Sequence, residues 1–167
     1  PMAEGVLPVF IGRATRIMEY MDLGCKTYRC CMRLGIVTDT EDIWGEILEE
    51  RSIEGITEDQ IRQTAESFCG DILQKPPMYS ALKRKGRKLY EYARQGITLD
   101  IQPRPVRIEN LEIEEIDLKR KEVVFEVTCS KGTYIRSLCR DMGEKLGCGA
   151  VMSGLTRTVS GAFSLER

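Results

Sequence analysis

Residues 122–147, EVVFEVTCSKGTYIRSLCRDMGEKLG, join a strand pattern directly to a helix pattern. In the first part, apolar residues alternate with more polar ones, as in a half-buried strand. The apolar face consists of Val123, Phe125, Val127 and Cys129. In the second part, apolar residues recur at the spacing of one helix face, and Gly147 follows the last of them. These residues are Ile135, Leu138, Cys139, Met142 and Leu146. The stretch therefore predicts a strand that leads into the N-terminus of an amphipathic helix.

The sequence around this unit predicts further strands and helices. Strands are expected at 25–36, 106–117 and 148–161, and the strand at 106–117 forms a hairpin with 122–129. Helices are expected at 14–21, 56–70 and 86–96, whereas 70–86 holds two prolines and no period and reads as a long connection. Because strands and helices do not alternate regularly, we expect an α+β fold with a mixed, largely antiparallel sheet flanked by helices.

Composition limits the chemistry that the chain can perform. The 167 residues are 42% hydrophobic and 31% charged, as in one folded domain, and no apolar run is long enough to span a bilayer. Seven cysteines without a CxxC pair indicate reduced thiols in a cytoplasmic protein. Histidine is absent, which removes imidazole as a general base and argues against a zinc site. Acid–base or covalent chemistry would therefore use carboxylate, Tyr, Lys or Cys.

The net charge of −1 hides two oppositely charged segments. Residues 39–59 are strongly acidic, and residues 83–94, KRKGRKLYEYAR, are strongly basic and include Tyr90 and Tyr92. Cations interleaved with aromatic rings suit a polyanion with stackable bases, because cations meet phosphates and rings meet base faces. A solvated, lysine-rich helix end fits the same residues, so both interpretations stay open at this point.

The junction SKGTYIRSL, residues 130–138, contains a second candidate for function. A helix N-terminus has unpaired backbone N–H groups, which together with Thr133 favour an anion. Tyr134 and Arg136 are expected just inside the helix and, being two residues apart, on different sides of it. An ordinary surface arginine and a tyrosine at the edge of the core would fit this pattern equally well.

The first residues, PMAEGVLPVF, are unusually apolar for a chain end. This segment resembles the sequence that follows the catalytic aspartate in the tRNA pseudouridine synthase B (TruB-type) family, whose signature runs Gly-x-Leu-Asp-Pro-x-Ala-x-Gly-Val-Leu. The resemblance continues in order through CKTYRCCMRLGIVTDTEDIWGEI, PPMYSALKRKGRKLYEYARQG and CSKGTYIRSLCRDMGEKLGCGA. It implies that residues 1–167 form one part of a catalytic domain. The catalytic Asp is then expected directly before Pro1, and upstream strands and a C-terminal RNA-binding extension are expected outside this chain.

The resemblance also implies roles for individual residues. Arg136 is expected to pair with the catalytic Asp, Tyr134 to lie against the reacting base, Tyr28 to stack on the flipped uracil, and Leu155 to pack beneath it. A thumb-like insertion at about 71–97 would grip the T-arm of tRNA through Tyr79, Ser80, Lys83, Arg84, Lys85 and Lys88. Arg157 would contact phosphate or stabilise the closing strand, and the resemblance does not choose between them.

The function implied by the resemblance is isomerisation of uridine 55 in the T loop of tRNA to pseudouridine. The base is flipped out and its C–N glycosidic bond is exchanged for a C–C bond, without metal or other cofactor. The expected enzyme is cytoplasmic and monomeric, with the T-arm of tRNA as its partner and no membrane. The alternatives are a non-catalytic tRNA-binding or RNA-chaperone module and a guide-RNA-dependent relative. The 167 residues alone are expected to be inactive, with Arg136 facing an electropositive pocket that lacks its carboxylate.

Overall fold

The computed structural model of the protein describes residues 3–20 and 24–165. Within these residues, eleven strands, three α-helices and one 3₁₀ helix follow one another along the chain. Their bounds are β1 Glu4–Gly5, the 3₁₀ helix Gly12–Glu19, β2 Lys26–Leu34, β3 Ile36–Thr38, β4 Ile47–Glu50, α1 Glu58–Glu66, β5 Gly70–Gln74, β6 Lys83–Arg84, β7 Arg87–Lys88, α2 Leu89–Ala93, β8 Arg104–Asp117, β9 Glu122–Cys129, α3 Ile135–Leu146, β10 Ala150–Ser160 and β11 Phe163–Ser164.

One large sheet organises the fold. Its strand order is β1-β10-β2-β9-β8-β5, with β11 also paired to β10. The β1–β10 pair is parallel, and the other pairs in this sheet are antiparallel. The strands β3 and β4, and β6 and β7, form two separate antiparallel hairpins. The expected α+β class with a mixed, largely antiparallel sheet and flanking helices is confirmed.

The core lies between this sheet and the helices α1 and α3. Phe125 and Met32 from the central strands and Leu138 and Met142 from α3 are completely buried in it. The helix α3 lies directly against the start of β10, because a Cβ atom added at Gly143 would be 2.1 Å from the backbone nitrogen of Ala150. This close packing fixes the C-terminal half of α3, which contains Gly143, relative to the sheet.

The predicted helices are present with changed bounds. The capping box of Thr57 and Gln60 is confirmed, but α1 ends at Glu66 rather than at Gly70. The helix expected at 14–21 is a 3₁₀ helix, Gly12–Glu19, and residue 21 lies outside the described residues.

The expected connection at 70–86 begins instead with a strand. Residues 70–74 form β5, which pairs with β8 at the edge of the sheet. The sequence did not predict this strand because Leu73 is exposed and the polar Gln74 is buried, which is the reverse of the usual alternation.

Within the described residues, no helix is long and apolar enough to cross a membrane. The same residues contain no cluster of three or more acidic, cysteine or histidine side chains that could hold a metal ion.

Candidate active site

A cleft of about 680 Å³ opens beside the N-terminal end of α3. The loop between β3 and β4, residues 39–46, forms one wall and is called the acidic loop below. Strands β2 and β10 form the floor, and the short helix α2 contributes to the opposite wall. The cleft is lined by Ala3, Tyr28, Asp42, Trp44, Tyr79, Tyr90, Arg94, Thr133, Tyr134, Ile135, Arg136, Met152 and Leu155.

Arg136 is held from two directions. Its Nη1 donates to the carbonyl of Thr40 at 3.1 Å and to Oδ2 of Asp42 at 3.0 Å, and its Nη2 donates to the carbonyl of Tyr79 at 2.8 Å. The side chains of Arg136 and Asp42 are only 22% and 14% exposed. Three acceptors around the planar guanidinium fix its position and its orientation. A lysine ammonium at the end of a flexible side chain would not be fixed in this way.

The expectation that Arg136 faces an electropositive pocket without a carboxylate is wrong. Among the described residues, Asp42 of the acidic loop forms an ion pair with Arg136, whereas the expected pairing of Arg136 with a catalytic Asp before Pro1 stays a prediction. The sequence placed Asp42 within an acidic stretch that resembled a solvated face. The available signal was TDTED, residues 38–42, because threonines beside an aspartate favour a tight side-chain-bonded turn.

The acidic loop itself is well anchored. Thr40 Oγ1 donates to Oδ1 of Asp42 at 2.7 Å, and the backbone nitrogen of Trp44 donates to the same oxygen at 3.2 Å. The loop pairs with β10, since the backbone nitrogen of Ile43 donates to the carbonyl of Met152 at 2.9 Å. These contacts orient the Asp42 carboxylate toward Arg136.

Tyr134 precedes α3 instead of lying inside it. It is the N-cap residue, with extended φ and ψ of −101° and 110°. The buried side chain of Gln74 accepts from the Tyr134 nitrogen at 2.8 Å and donates to the Tyr134 carbonyl at 3.1 Å. The expectation that Tyr134 and Arg136 lie on different sides is wrong, because helical spacing does not apply to an extended residue. Both line the cleft.

Thr133 does not cap the helix with its side chain. Its hydroxyl donates to the carbonyl of Ser130 at 2.8 Å, so it closes the turn between β9 and α3.

Tyr28 and Leu155 form the apolar floor of the cleft. Tyr28 lies on β2 between Val127 of β9 and Arg157 of β10, and Leu155 lies on β10. Both side chains also pack against the hydrophobic core. Burial raises the pKa of the Tyr28 phenol, although the nearby Arg157 partly offsets this effect. The phenol is therefore neutral at physiological pH.

Arg157 supports the strand that enters the cleft. Its Nε donates to the carbonyl of Val6 at 2.7 Å, and its own carbonyl accepts from the Val6 nitrogen at 2.9 Å. The contacts on the described residues thus favour the structural interpretation of Arg157 over a phosphate contact.

The expected thumb residues divide into two groups. Tyr79 lines the cleft, and burial together with a contact from Asp39 raises the pKa of its phenol. Ser80 is buried, and its hydroxyl has no partner among the described residues. The four cations belong to the β6–β7 hairpin and do not line the cleft: Lys83, Arg84, Lys85 and Lys88. Lys83 and Arg84 line a separate groove of about 280 Å³.

Two residues of the basic segment 83–94 that were not among the expected site residues connect this hairpin to the cleft. Tyr90 and Arg94 on or beside α2 both line it, and the Arg94 guanidinium lies 5.2 Å from the centre of the Tyr90 ring. Lys88 is 5.5 Å from the same ring. The basic and aromatic pattern at 83–94 was the signal for them.

The chain matches two protein-family models in succession. Residues 1–135 match the family model "TruB family pseudouridylate synthase (N terminal domain)", and residues 136–167 match "tRNA pseudouridylate synthase B C-terminal domain". The chain belongs to the TruB family. Curated relatives named tRNA pseudouridine synthase B are 53% identical over 166 residues in Alkaliphilus oremlandii and 50% identical over 169 residues in Clostridium perfringens. These alignments cover 99% of this chain but 54% and 56% of the relatives, so this TruB-family chain spans about half their length.

Solved structures of the same fold belong to larger assemblies. A chain of a Cbf5-Nop10-Gar1 complex is 34% identical with a TM-score of 0.71, covering 99% of this chain and 39% of that one. A chain of an H/ACA RNP bound to a substrate RNA containing 2′-deoxyuridine is 29% identical with a TM-score of 0.66, covering 98% of this chain and 37% of that one. The TruB-family chain thus has the fold of the Cbf5 pseudouridine synthases.

Proposed function

We propose that the full-length protein containing this chain is a tRNA pseudouridine synthase that isomerises uridine 55 of the T loop. The observation that carries the proposal is the cleft itself, where Tyr28, Tyr134 and Leu155 surround a space beside the fixed guanidinium of Arg136. A flat, flipped-out base fits between aromatic and apolar side chains. The family and the curated relatives support the same reaction.

The base is held by stacking. Uracil leaves the RNA stack, and the Tyr28 ring supplies a flat face for it, a contact that typically contributes about 1–3 kcal/mol per base. Tyr134, the N-cap residue of α3, lies against the reacting base, and Leu155 excludes water beneath it. Because the Tyr28 phenol is neutral, it offers a ring without adding a charge to the site.

The catalytic aspartate is proposed to precede Pro1 in the full-length protein. Ala3 lines the cleft, and an extended chain covers about 3.3–3.6 Å per residue, so the residue before Pro1 comes within about 11 Å of that rim. Of the five N–H donors of a guanidinium, three are engaged by the described residues. Arg136 can therefore bind a second carboxylate, keep it ionised and orient it toward the sugar.

During the reaction, the N1–C1′ bond breaks, the uracil turns within the cleft, and a C5–C1′ bond forms; the C5 proton is lost to solvent and N1 takes up a proton in its place. The aspartate starts this exchange as a nucleophile or as a base at the sugar. Oxidation states and atoms balance without a redox partner or a metal, so we propose that no cofactor takes part.

The RNA grip is proposed to come from the thumb-like insertion, about 71–97. Its hairpin presents Lys83, Arg84, Lys85 and Lys88, and Tyr79 and Ser80 connect it to the cleft. Unlike the sheet-bound residues 71–74, the hairpin projects charges that suit the phosphates of a T-arm. The full-length protein is further proposed to act as a cytoplasmic monomer with additional strands upstream and an RNA-binding extension downstream.

Two other functions remain distinguishable by experiment. A non-catalytic tRNA-binding or RNA-chaperone module would bind the T-arm and leave uridine 55 unchanged. A guide-RNA-dependent enzyme is favoured by the similarity to Cbf5 complexes, and it would need a guide RNA and partner proteins before it modified an RNA.

The test measures pseudouridine in an isolated T-arm stem-loop after incubation with the full-length protein. Conversion of uridine 55 without guide RNA supports the proposal, and the 167-residue chain alone is expected to form none. Binding without conversion by the full-length protein would support the module instead. Clear turnover by the 167-residue chain alone would overturn the position proposed for the aspartate.

A further inference from the structure

A second arginine lies one helical turn after Arg136 and repeats its pattern of contacts. Arg140 forms an ion pair with Glu41 of the acidic loop, and its Nη2 donates to the carbonyl of Lys75 at 3.0 Å. Arg136 likewise contacts the acidic loop and, through the carbonyl of Tyr79, the same 75–79 segment. Two neighbouring arginines of α3 therefore each join the acidic loop to the base of the thumb.

Glu41 is held in a conformation that its backbone does not favour. Its φ is +63°, in the left-handed region that non-glycine residues rarely adopt. Its side chain is only 12% exposed and also accepts from the hydroxyl of Ser137 at 2.6 Å. The contacts to α3 therefore offset both the strain of the loop and the burial of the carboxylate.

Asp42 directly follows Glu41, so the contacts that hold Glu41 also constrain the backbone that leads into Asp42. With Glu41 bound by Arg140 and Ser137, the Asp42 carboxylate lies at the start of α3 and accepts from Arg136 at 3.0 Å. The backbone nitrogen of Met152 donates to the carbonyl of Glu41 at 3.2 Å, so β10 supports the same turn. The loop is thus attached to the helix at two successive residues, 41 and 42.

We propose that Glu41 and Arg140 are positioning residues that hold the Asp42 carboxylate against Arg136 and couple this pair to the base of the thumb. Neither residue lines the cleft, so both act through Asp42 and Arg136 and not on the RNA. The inference deepens the proposed function and rests on it. The charged groups around Glu41 are Arg140 and Arg136 of α3, and Asp141 lies on the far side of the Arg140 guanidinium at 2.8 Å.

Kinetics of the full-length protein on a T-arm stem-loop provide the first readout. Arg140→Ala and Glu41→Ala are each expected to lower kcat by about 10–100-fold, because a displacement of about 1 Å can cost on the order of 10²-fold. KM should stay within about threefold, since the residues that bind RNA are unchanged. The combined variant should be no slower than the slower single variant, because both substitutions remove the same ion pair.

The single tryptophan of the chain provides a readout that does not require activity. Trp44 is about half exposed, and its backbone nitrogen donates to Asp42, so its fluorescence reports the position of the acidic loop. Subtracting the emission spectrum of the Trp44→Phe variant from that of the same protein with Trp44 removes the fluorescence of any other tryptophan in the full-length protein. In Glu41→Ala and Arg140→Ala, emission should shift to longer wavelength and quenching by acrylamide should increase.

Conservative variants and a matched control separate positioning from general stability. Glu41→Gln keeps hydrogen bonds to Ser137 and Arg140 and should retain both the Trp44 spectrum and most of kcat. Glu144→Ala removes the ion pair of Glu144 with Arg51 at 2.9 Å, one turn further along α3, and should change neither readout. If Arg140→Ala does not fold, Glu41→Ala alone decides between the outcomes, because it removes the same ion pair.

The outcomes are distinguishable. A changed Trp44 spectrum together with a selective loss of kcat supports the proposal. Folded Glu41→Ala and Arg140→Ala proteins with a wild-type Trp44 spectrum and wild-type kcat overturn it, whatever their melting temperatures. If the unmodified protein forms no pseudouridine, the proposed function fails, and the Trp44 spectra still decide whether Glu41 and Arg140 position the loop.

Discussion

Replacing Arg136 by lysine tests whether the site needs a fixed guanidinium fork or only a positive charge. The arginine donates to three acceptors, the carbonyls of Thr40 and Tyr79 and the carboxylate of Asp42. A lysine ammonium on a flexible stem can reach one of these acceptors from the same position, so about two charged hydrogen bonds disappear.

The expected loss of activity follows from those hydrogen bonds. Hydrogen bonds to charged groups contribute about 1.5–3 kcal/mol each, and the lower end applies here because 22% of the Arg136 side chain is exposed and water can replace part of the interaction. A loss of about 3 kcal/mol in the transition state corresponds to about a 10²-fold lower rate. Arg136→Ala removes the charge as well and should be slower still.

The assay is single-turnover conversion of uridine 55 in a T-arm stem-loop by the full-length protein. Arg29→Lys is the matched control, because Arg29 is 53% exposed and pairs with Glu114 on the sheet at 2.7 Å, and Arg29 does not line the cleft. We expect this control to keep wild-type rates. Wild-type rates for Arg136→Lys would show that a positive charge alone is enough, and would contradict the need for a guanidinium fork.

Three further predictions follow from the cleft, the hairpin and the core. Tyr28→Leu should lower conversion by about 10–100-fold through the loss of about 1–3 kcal/mol of stacking, whereas Tyr28→Phe should stay within a few-fold of wild type; equal rates for Leu and Phe would contradict stacking. Replacing Lys83 and Lys85 by alanine should reduce the slope of log affinity against log salt by about 0.7–0.9 for each phosphate that is no longer neutralised, and an unchanged slope in filter binding would place the RNA elsewhere. Gly143→Ala should destabilise the protein by about 1–3 kcal/mol, because the new Cβ would lie 2.1 Å from the Ala150 nitrogen; an unchanged thermal midpoint would contradict the close packing.

The sequence predicted the fold wherever apolar residues followed one period. The strands 106–117 and 122–129 and the helix that ends at Gly147 are all present, since each has one buried face. Strand β5 was not predicted because its buried side chain is Gln74, whose amide binds the backbone of Tyr134 instead of packing in the core. A polar residue buried for a specific hydrogen bond breaks the pattern on which sequence reasoning depends.

The sequence predicted part of the candidate site. Tyr28, Tyr134, Arg136 and Leu155 were expected from the family resemblance, and the structure brings their side chains to one cleft. Asp42 was not predicted, because a single carboxylate in an acidic stretch cannot be distinguished from solvated neighbours until the fold places it opposite Arg136.

The pairing of Glu41 with Arg140 needed the structure as well. The two residues lie 99 positions apart in sequence, and no local pattern connects them.

The cleft beside Arg136 is proposed to exchange the glycosidic bond of a flipped uridine. Formation of the new C5–C1′ bond displaces the hydrogen at C5, so the most direct measurement uses a T-arm stem-loop with tritium at C5 of its uridines. The full-length protein should release the tritium of one uridine per RNA, and none should be released when uridine 55 is replaced by cytidine. Tight binding of the same RNA without release of tritium would contradict the proposed reaction.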